Sequence, residues 1–379
     1  MTQLLIKLLV LFFLPFSVQH AFAGLSSGEA AASMYTNDLN RIDSNSVDPG
    51  FIDSDLIASG AETPDQGLGS EGPQLASTVQ PENTATVDNW LDMMMRSMNQ
   101  QNFQGTLIVR QANKMQAIKV KQGVTPEGSW QILESLTGES QKIIRREGKV
   151  TTIFPDKRLV TISDSVHKRP LHATLPENYH KLKKYYKMKL AGQDRIASKV
   201  TQIVQMIPLD KYRYGYTFWL DQQSGMLLKC DLVDEKNQVL EQLMYSDIEL
   251  LPVAPEKNID QRELATYKQV NLQDKSEVST KTWQAKQLPA GFTLSRSVHI
   301  PSQHNHSKTF HMVFSDGMAL VSVFIEERDR MKKPVLGQSS MGKINAYSAY
   351  VRNAYITAIG EVPAATVRMI ALSMEPEQP

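Results

Sequence analysis

A succession of short, β-rich segments constrains this fold more than any other feature of the sequence. Between Phe103 and Leu250 the segments follow one another with Gly, Asn or Pro between them, and one helical stretch precedes them. They include FQGTLIVRQ, KMQAIKVKQ, SWQILESLTG, KVTTIFPDKRLVTISD and IASKVTQIVQMIP. Segments of this kind are typical of strands joined by tight turns. The pattern predicts an α+β fold, mostly antiparallel β, in which a large curved sheet has few helices to cover it.

The preceding stretch, VDNWLDMMMRSMNQQNF, has apolar residues at helical spacing. Methionines on an amphipathic helix usually fill irregular gaps in a core. One or two helices cannot fill the concave side of an eight- to eleven-stranded sheet, so we expect a cavity. The alternative, that the helix fills the hollow completely, stays open at this point. The residues that would do so are Leu91, Met95 and Met98.

One strand face is unusually aromatic. In YRYGYTFWLDQQSGMLLKCDLVD every second residue of the first half is large, and we expect this face to line the concave side as a ligand-binding surface. The five residues are Tyr212, Tyr214, Tyr216, Phe218 and Leu220.

The first residues predict export from the cytoplasm. Residues 1–23 contain one lysine, an apolar run and an Ala-Phe-Ala motif before Gly24, which is the pattern of a cleaved signal peptide. No later run approaches the roughly 20 apolar residues that span a bilayer. Because Gly24 is not a cysteine, a lipid anchor is disfavoured.

The next segment, residues 24–86, is acidic. It holds ten Asp or Glu residues against one Arg, whereas residues 87–379 hold 39 Lys or Arg against 30 Asp or Glu. Its composition is rich in Ser, Gly, Asp, Asn and Pro and has no sustained period, so we predict a disordered segment.

The C-terminal third predicts a second, smaller domain. Residues 251–280 are polar and contain proline, which favours a linker that is partly packed at most. Residues 281–379 contain strand-like segments and a hairpin turn at Ser315-Asp316-Gly317. Pro363 opens a terminal helix. We expect its inward face to be Ala365, Met369, Ile370 and Met374.

Candidate catalytic and metal-binding residues are few. The one cysteine, Cys230, alternates with Leu228 and Leu232 and is interpreted as a small buried hydrophobe. His304 and His306 share one side of the run HNHSKTFHMVF, while the third histidine, His311, has the opposite parity. No carboxylate or cysteine completes a ligand set at suitable spacing, so a metal site is disfavoured. Whether His304 and His306 bind a metal stays an open question. The sequence lacks the common phosphate-loop, zincin, dinucleotide-binding and hydrolase motifs, which favours a binding protein without a cofactor over an enzyme.

Basic residues accumulate in the first domain. Residues 87–250 hold 24 Lys or Arg against 18 Asp or Glu, and the stretches HKLKK and LKKYYKMK interleave lysines with tyrosines. Nucleic acid is an improbable partner of an exported protein, so anionic amphiphiles fit this surface better. The candidate basic rim consists of Arg145, Arg146, Lys183 and Lys184.

Several runs together resemble the RseB/MucB family, periplasmic regulators of an envelope-stress sigma factor. They are AGQDRIASKVTQIVQMIP, DKYRYGYTFWLDQQSGMLLKCDLVDEKNQVLEQLMYSDIE, NFQGTLIVRQ, IFPDKRLVTI and KINAYSAYVRNAYITAIGEVPAATVRMIALSM. The resemblance implies an N-terminal domain like the lipoprotein carriers LolA and LolB, a half-open β-barrel with lid helices, and a smaller C-terminal β domain. It also implies a periplasmic protein that binds the periplasmic domain of a membrane-spanning anti-sigma factor and shields it from site-1 proteolysis. Lipopolysaccharide-type or acyl-chain amphiphiles would release it.

The resemblance leaves alternatives open. A lipoprotein or lipid carrier of the LolA/LolB type is the second hypothesis, and the additional domain at residues 281–379 argues against it. The acidic segment at residues 24–86 departs from the family, so its role is not defined. The residues that contact the anti-sigma factor, the identity of the lipid and the oligomeric state, including a homo-oligomer, are also not defined by the sequence.

Overall fold

Two antiparallel sheets dominate the structure. The computed structural model describes residues 86–377 except 147, 165–174, 258, 260, 273–276, 279–282, 302–307 and 328–334. Residues 85–379 form one compact unit. The predicted α+β, mostly antiparallel fold, with a large first sheet and a smaller second sheet followed by a terminal helix, is confirmed. The predicted signal peptide and acidic segment lie outside the described residues.

The first sheet has twelve strands and is preceded by helix α1 (Val87–Gln100). A 3₁₀ helix at Tyr179–Lys184 leads into the seventh strand. The strands are β1 (Asn102–Gln111), β2 (Lys114–Thr125), β3 (Gly128–Ser135), β4 (Lys142–Arg146), β5 (Lys149–Phe154), β6 (Leu159–Asp164), β7 (Tyr186–Ile196), β8 (Lys199–Pro208), β9 (Gly215–Asp221), β10 (Leu227–Val233), β11 (Val239–Leu251) and β12 (Lys268–Leu272).

The topology of this sheet is two meanders joined at one seam. The strand order is β12-β6-β5-β4-β3-β2-β1-β11-β10-β9-β8-β7, so the first and last long strands of the domain are neighbours. The β1–β11 ladder runs from Asn102 opposite Leu251 to Gln111 opposite Glu241, with a register shift between Thr106 and Leu107. A shift of this kind bends the strand and increases the local twist, which suits a curved sheet.

The predicted linker at residues 251–280 contains regular structure. Helix α2 (Gln261–Leu264) and strand β12 lie in it, and β12 pairs in parallel with β6 at the edge of the first sheet. Tyr267 packs with Ile153 and Val160 in a separate apolar cluster. A second short strand, β13 (Glu277–Val278), already belongs to the second sheet. The segment therefore joins the two sheets by adding a strand to each.

The second sheet has seven strands in the order β13-β15-β16-β17-β20-β19-β18, and helix α3 (Ala364–Ser373) packs on one face. We expected Ala365 and Met369 to face inward, but the buried positions of α3 are Thr366, Val367, Ile370 and Ala371. A two-stranded sheet pairs β14 with β21. The remaining strands are β14 (Trp283–Ala285), β15 (Thr293–Pro301), β16 (Lys308–Ser315), β17 (Leu320–Glu327), β18 (Gly337–Met341), β19 (Ile344–Val351), β20 (Ala354–Gly360) and β21 (Met374–Pro376).

A buried arginine joins the two sheets. The Arg213 guanidinium, before β9, donates to Asp316 in the turn between β16 and β17, with a nitrogen–oxygen distance of 2.9 Å, and both side chains are fully buried. It also donates to Asp210 at 3.1 Å. Its carbon Cζ lies 4.7 Å from the ring centroid of Tyr185 and 5.7 Å from that of Tyr186. Arginine suits this position because its planar fork forms hydrogen bonds while its face stacks on aromatic rings.

A second ionic cluster lies between the sheets. The ammonium of Lys343, in the turn after β18, lies 2.9 Å from a Glu241 oxygen of β11 and 2.8 Å from a Glu361 oxygen. Burial alone lowers the pKa of Lys343, but the carboxylates of Glu361 and Glu241 outweigh burial and raise it. The Asn345 amide donates to the Tyr214 hydroxyl at 2.9 Å. Charges buried in this way depend on one another, so removal of one partner is costly.

We expect Asp316→Asn to destabilise the protein by about 3 kcal/mol, because the buried Arg213 charge loses its fully buried partner. The matched control is Glu134→Gln, which breaks the half-exposed Lys142–Glu134 pair and should cost less than about 1 kcal/mol. Urea denaturation curves of the three proteins measure both values. Equal free energies of unfolding for the two variants would contradict the role of Arg213 and Asp316 in joining the sheets.

Candidate functional site

The concave face of the first sheet is apolar and aromatic along β9. Phe218 and Leu220 are fully buried there, and the Tyr216 ring stacks on Phe218 with centroids 5.9 Å apart. Of the five alternating residues predicted to bind a ligand, these three pack in one apolar cluster with α1, and their role in binding stays a prediction.

Tyr212 and Tyr214 precede the strand and contact the second domain instead. The Thr366 hydroxyl of α3 donates to the Tyr212 carbonyl oxygen at 2.6 Å, and the Tyr214 hydroxyl accepts from Asn345 of β19. The alternation in the sequence therefore extends beyond the strand itself.

Helix α1 covers this concave face. Leu91, Met94 and Met98 are buried in the same apolar cluster as Phe218, while Met95 is only partly buried. The β9–β10 turn comes very close to the helix at Gly225, where φ is +73° and a Cβ atom would lie 2.7 Å from that of Met93. Glycine is therefore required here both by the backbone conformation and by the approach of α1.

Both ends of α1 are held by polar contacts. At its C-terminal end the Gln122 amide of β2 donates to the Met98 carbonyl at 2.8 Å. Towards its N-terminal end the Tyr179 hydroxyl donates to Asp92 at 2.8 Å, and Lys183 lies 2.6 Å from Asp88. The helix α1 is therefore held on the sheet by its apolar face and by a few polar contacts at each end.

Little space remains beneath the cover. A cavity of about 20 Å³ persists under α1, so the helix fills most of the hollow expected from the sequence. Methionine side chains account for part of this filling, since Met94, Met98 and Met226 are all buried against the sheet. The cavity is lined by Met98, Leu107, Leu227, Leu228, Lys229, Cys230, Leu243 and Tyr245.

A larger groove opens beside the start of α1. Its volume is about 360 Å³, and it combines apolar and charged groups. Tyr186 and Met188 come from the concave side of β7, and Lys183 and Asp88 contribute the charges. Val87 and Thr86 complete the lining. The apolar side chains of this groove could contact an acyl chain, and the ammonium of Lys183 could contact an anionic headgroup.

The four residues of the predicted basic rim lie in two places. Arg145 and Arg146 are on β4, whereas Lys183 and Lys184 end the 3₁₀ turn before β7, and seven strands separate β4 from β7 in the sheet order. Arg145 is partly buried, and burial lowers its pKa. Arg146 and Lys184 are exposed. Of the four, only Lys183 lines the groove.

Sequence reasoning missed several residues of this region. The stretch LKKYYKMK was interpreted as a basic patch, but from Tyr186 onward it is strand β7. The alternation of Tyr186 and Met188 with lysines was a usable signal for a strand that is oily on one side. Tyr179, Gln122 and Tyr245 carried no comparable signal, because their roles depend on contacts far away in the sequence.

Cys230 and His311 are both buried. Cys230 lines the small cavity, and burial raises the pKa of its thiol, as expected for a structural cysteine. His311 stacks on Phe324 with ring centroids 4.5 Å apart, and its Nε2 has no hydrogen-bond partner within the described ranges. His304 and His306 lie outside the described residues. In the described part of the chain there is no group of three His, Cys, Asp or Glu residues that could hold a metal ion.

The structure defines a two-domain, mostly antiparallel β protein, in which a large sheet with a helical cover is joined by buried ion pairs to a smaller sheet. The model of the MucB/RseB N-terminal domain matches residues 86–266, and that of the MucB/RseB C-terminal domain matches residues 277–375. The chain therefore belongs to the MucB/RseB family, as its sequence pattern predicted.

Relatives with names and solved structures support the same assignment. The chain is 27% identical over 301 residues to the sigma factor AlgU regulatory protein MucB of Pseudomonas aeruginosa, which covers 77% of this chain and 92% of that protein. It is 23% identical over 301 residues to the sigma-E factor regulatory protein RseB of Haemophilus influenzae, covering 78% and 93% respectively. The solved complex of P. aeruginosa MucA and MucB superposes with a TM-score of 0.62 at 26% identity, covering 77% of this chain and 99% of that one. A crystal structure of MucB in complex with MucA(peri) gives a TM-score of 0.60 at 25% identity, with 77% and 100% covered. No helix in the described part of the chain is long and apolar enough to cross a bilayer.

We expect stability to fall as the pH drops from about 6.5 to about 4. Burial, helped by Arg296, lowers the pKa of His311 from 6.5 to about 4, so the unfolded state binds a proton that the folded state does not accept in this window. The full effect is on the order of 3 kcal/mol. The measurement is the free energy of unfolding across this pH range.

His311→Phe keeps the stacking on Phe324 and should reduce the loss on acidification by that amount. His180→Gln, at an exposed histidine, is the control and should behave like the wild type. An unchanged pH dependence in His311→Phe would contradict the assignment.

Proposed function

We propose that this protein is a periplasmic regulator of a sigma factor. It binds the periplasmic domain of a membrane-spanning anti-sigma factor, shields it from site-1 proteolysis, and releases it when a lipopolysaccharide-type amphiphile occupies the hollow under α1. The observation that carries the proposal is the match of both domains, in order, to the MucB/RseB family. No chemical step by the protein is needed, because the function is a choice between two binding partners.

The names of the relatives support the partner. MucB and RseB are called sigma factor regulatory proteins, and MucB has been crystallised with MucA(peri). The second domain distinguishes this hypothesis from the alternative of a lipid carrier of the LolA/LolB type. A carrier needs only the covered sheet, whereas this chain continues into a seven-stranded sheet connected to the first by buried charges.

The cover supports an amphiphile as the signal. Because the cavity under α1 is only about 20 Å³, an acyl chain enters when α1 and its methionines move away from the sheet. Each CH₂ group that is then buried contributes about 0.8 kcal/mol. The groove at the start of α1 offers the ammonium of Lys183 to an anionic headgroup, in competition with its present partner Asp88.

A continuous series of contacts links the hollow to the second sheet. Phe218 stacks on Tyr216, and the Tyr216 ring lies 6.5 Å from the ring of Tyr186, which also lines the groove. Tyr186 in turn lies against Arg213, whose partner Asp316 belongs to the second sheet. We infer that displacement of Tyr186 by an amphiphile disturbs the Arg213–Asp316 pair and thereby the surface that holds the anti-sigma factor.

We expect binding of the two partners to be mutually antagonistic. Lipopolysaccharide should weaken binding of an anti-sigma periplasmic fragment to the mature protein about 5- to 150-fold, and the fragment should weaken binding of lipopolysaccharide by the same factor. Titration calorimetry in both orders measures the two factors. The control ligand is deacylated lipopolysaccharide, which has the sugars without the acyl chains and should have no effect. Binding of the amphiphile with no affinity for any anti-sigma fragment would instead support the carrier hypothesis.

The single cysteine reports movement of the cover. We expect Cys230 to react very slowly with a maleimide in the ligand-free protein, because its thiol is buried and burial raises its pKa. Saturating lipopolysaccharide should accelerate labelling at least tenfold if α1 moves away from the sheet. Mass spectrometry against time measures the rate.

The control for this labelling is the double variant Cys230→Ser, Ser246→Cys, whose new thiol is on the exposed side of β11 and should react equally fast with and without the amphiphile. Binding of lipopolysaccharide without faster labelling of Cys230 would exclude opening under α1.

A further inference from the structure

One polar group inside the hollow has no partner. The Tyr245 side chain, on the concave side of β11, is completely buried, and its hydroxyl forms no hydrogen bond with any described residue. Its ring is fixed edge-to-face against Phe103, with centroids 6.1 Å apart. Buried hydroxyl groups are usually paired, since leaving one unpaired costs stability. Because Tyr245 lines the small cavity under α1, a ligand that enters there and moves the neighbouring side chains can satisfy this hydroxyl.

The cavity next to Tyr245 does not suit a water molecule. Its volume of about 20 Å³ is large enough for one, but a buried water needs two to four polar partners. The surface that faces the cavity is entirely apolar, although Tyr245 and Cys230 are among the residues that line it. Lys229 also lines it, but its ammonium lies 3.3 Å from Asp231 and 3.8 Å from the ring centroid of Trp219.

The surrounding side chains are suited to rearrangement. Met98 lines the cavity from α1, and Met226 is tied to the same helix only by a weak bond, in which the Ser97 hydroxyl donates to its sulfur at 3.6 Å. Methionine changes rotamer at low cost, so the cavity can lengthen without a change in the sheet. A tyrosine hydroxyl keeps its proton at neutral pH, and burial raises the pKa of Tyr245 further, so this group can act as a donor.

We propose that Tyr245 donates a hydrogen bond to an oxygen atom carried on the acyl chain of the ligand, so that the hollow selects hydroxylated acyl chains over plain hydrocarbon chains. This inference rests on the proposed function, in which an acyl chain enters under α1. Apolar side chains around the cavity bind either chain equally, and the hydroxyl of Tyr245 alone distinguishes them.

The test compares two probes that differ by one oxygen atom, 3-hydroxytetradecanoate and tetradecanoate. We expect the mature wild-type protein to bind the hydroxylated acid about 3- to 10-fold more tightly, the range that one net hydrogen bond supplies. In Tyr245→Phe the ratio should fall to about 1, through loss of affinity for the hydroxylated acid while affinity for tetradecanoate is kept. Displacement of a fluorescent fatty acid measures both affinities.

Two controls separate this role from a structural one. Tyr355→Phe removes a tyrosine hydroxyl from the second sheet, where it donates to the Val335 carbonyl, and should leave the ratio unchanged. Tyr245→Phe should be at least as stable to heat as the wild type, because it removes an unpaired group. Equal ratios in the wild type and Tyr245→Phe, with both acids bound, would overturn this inference and leave the proposed function standing. Binding of neither acid nor of lipopolysaccharide would overturn both.

Discussion

The structure depends on the packing of one helix against the concave face of a twelve-stranded sheet. That face is apolar, and α1 packs on it through Leu91, Met94 and Met98, which are all buried in the same cluster. The same residues decide whether the hollow is closed or available. In the proposed function, stability and ligand binding therefore compete for one surface, because an acyl chain would bury the apolar groups that α1 buries in the free protein. A cover made of methionines reduces the difference between the two states, because methionine packs well in more than one arrangement.

The ion pairs at the junction could transmit a movement of α1 to the second sheet. Arg213 is surrounded by aromatic rings from the first domain and by Asp316 from the second, and Lys343 lies between Glu241 and Glu361. Buried ion pairs of this kind add little net stability compared with apolar packing, but they tolerate few geometries. These ion pairs fix the orientation of one sheet against the other. If one charged side chain moves, the pair breaks and that orientation is no longer fixed. A junction built from ion pairs suits a regulator better than an apolar interface, because apolar surfaces can shift against each other without a sharp change in free energy.

Much of the architecture was predictable from local sequence signals. The helix before β1, the hairpin at Ser315–Gly317 and the terminal helix after Pro363 have spacing or turn chemistry that acts over a few residues. Strand β7 was missed because its lysines suggested a charged surface, although its other parity is apolar. The predicted buried face of α3 differs from the observed face by about one position. The helix is apolar almost all round, so its sequence gives only a weak signal for which face is buried.

The candidate site was predictable only in part. The aromatic alternation predicts one face for all five residues, and the structure places Tyr216, Phe218 and Leu220 in the apolar cluster beneath α1. The alternation could not reveal that Tyr212 and Tyr214 already belong to the junction. The extent to which α1 fills the hollow depends on how side chains from distant strands interlock, and this cannot be inferred from period or composition. The unpaired hydroxyl of Tyr245 could not be predicted from the sequence either, because it depends on whether neighbouring strands place a hydrogen-bond partner near it.

The strand pairing of the connecting segment limits how far the two sheets can separate. Because β12 is fixed to the first sheet at Leu272 and β13 to the second from Glu277, five peptide units join them, a reach of about 18 Å when fully extended. If the Arg213 and Lys343 clusters break, the smaller sheet can pivot but not diffuse away. Its effective concentration near the junction stays high, so in the proposed function the closed arrangement would re-form quickly once an amphiphile leaves. The response would then be reversible without refolding of either domain, with a recovery time that does not depend on protein concentration.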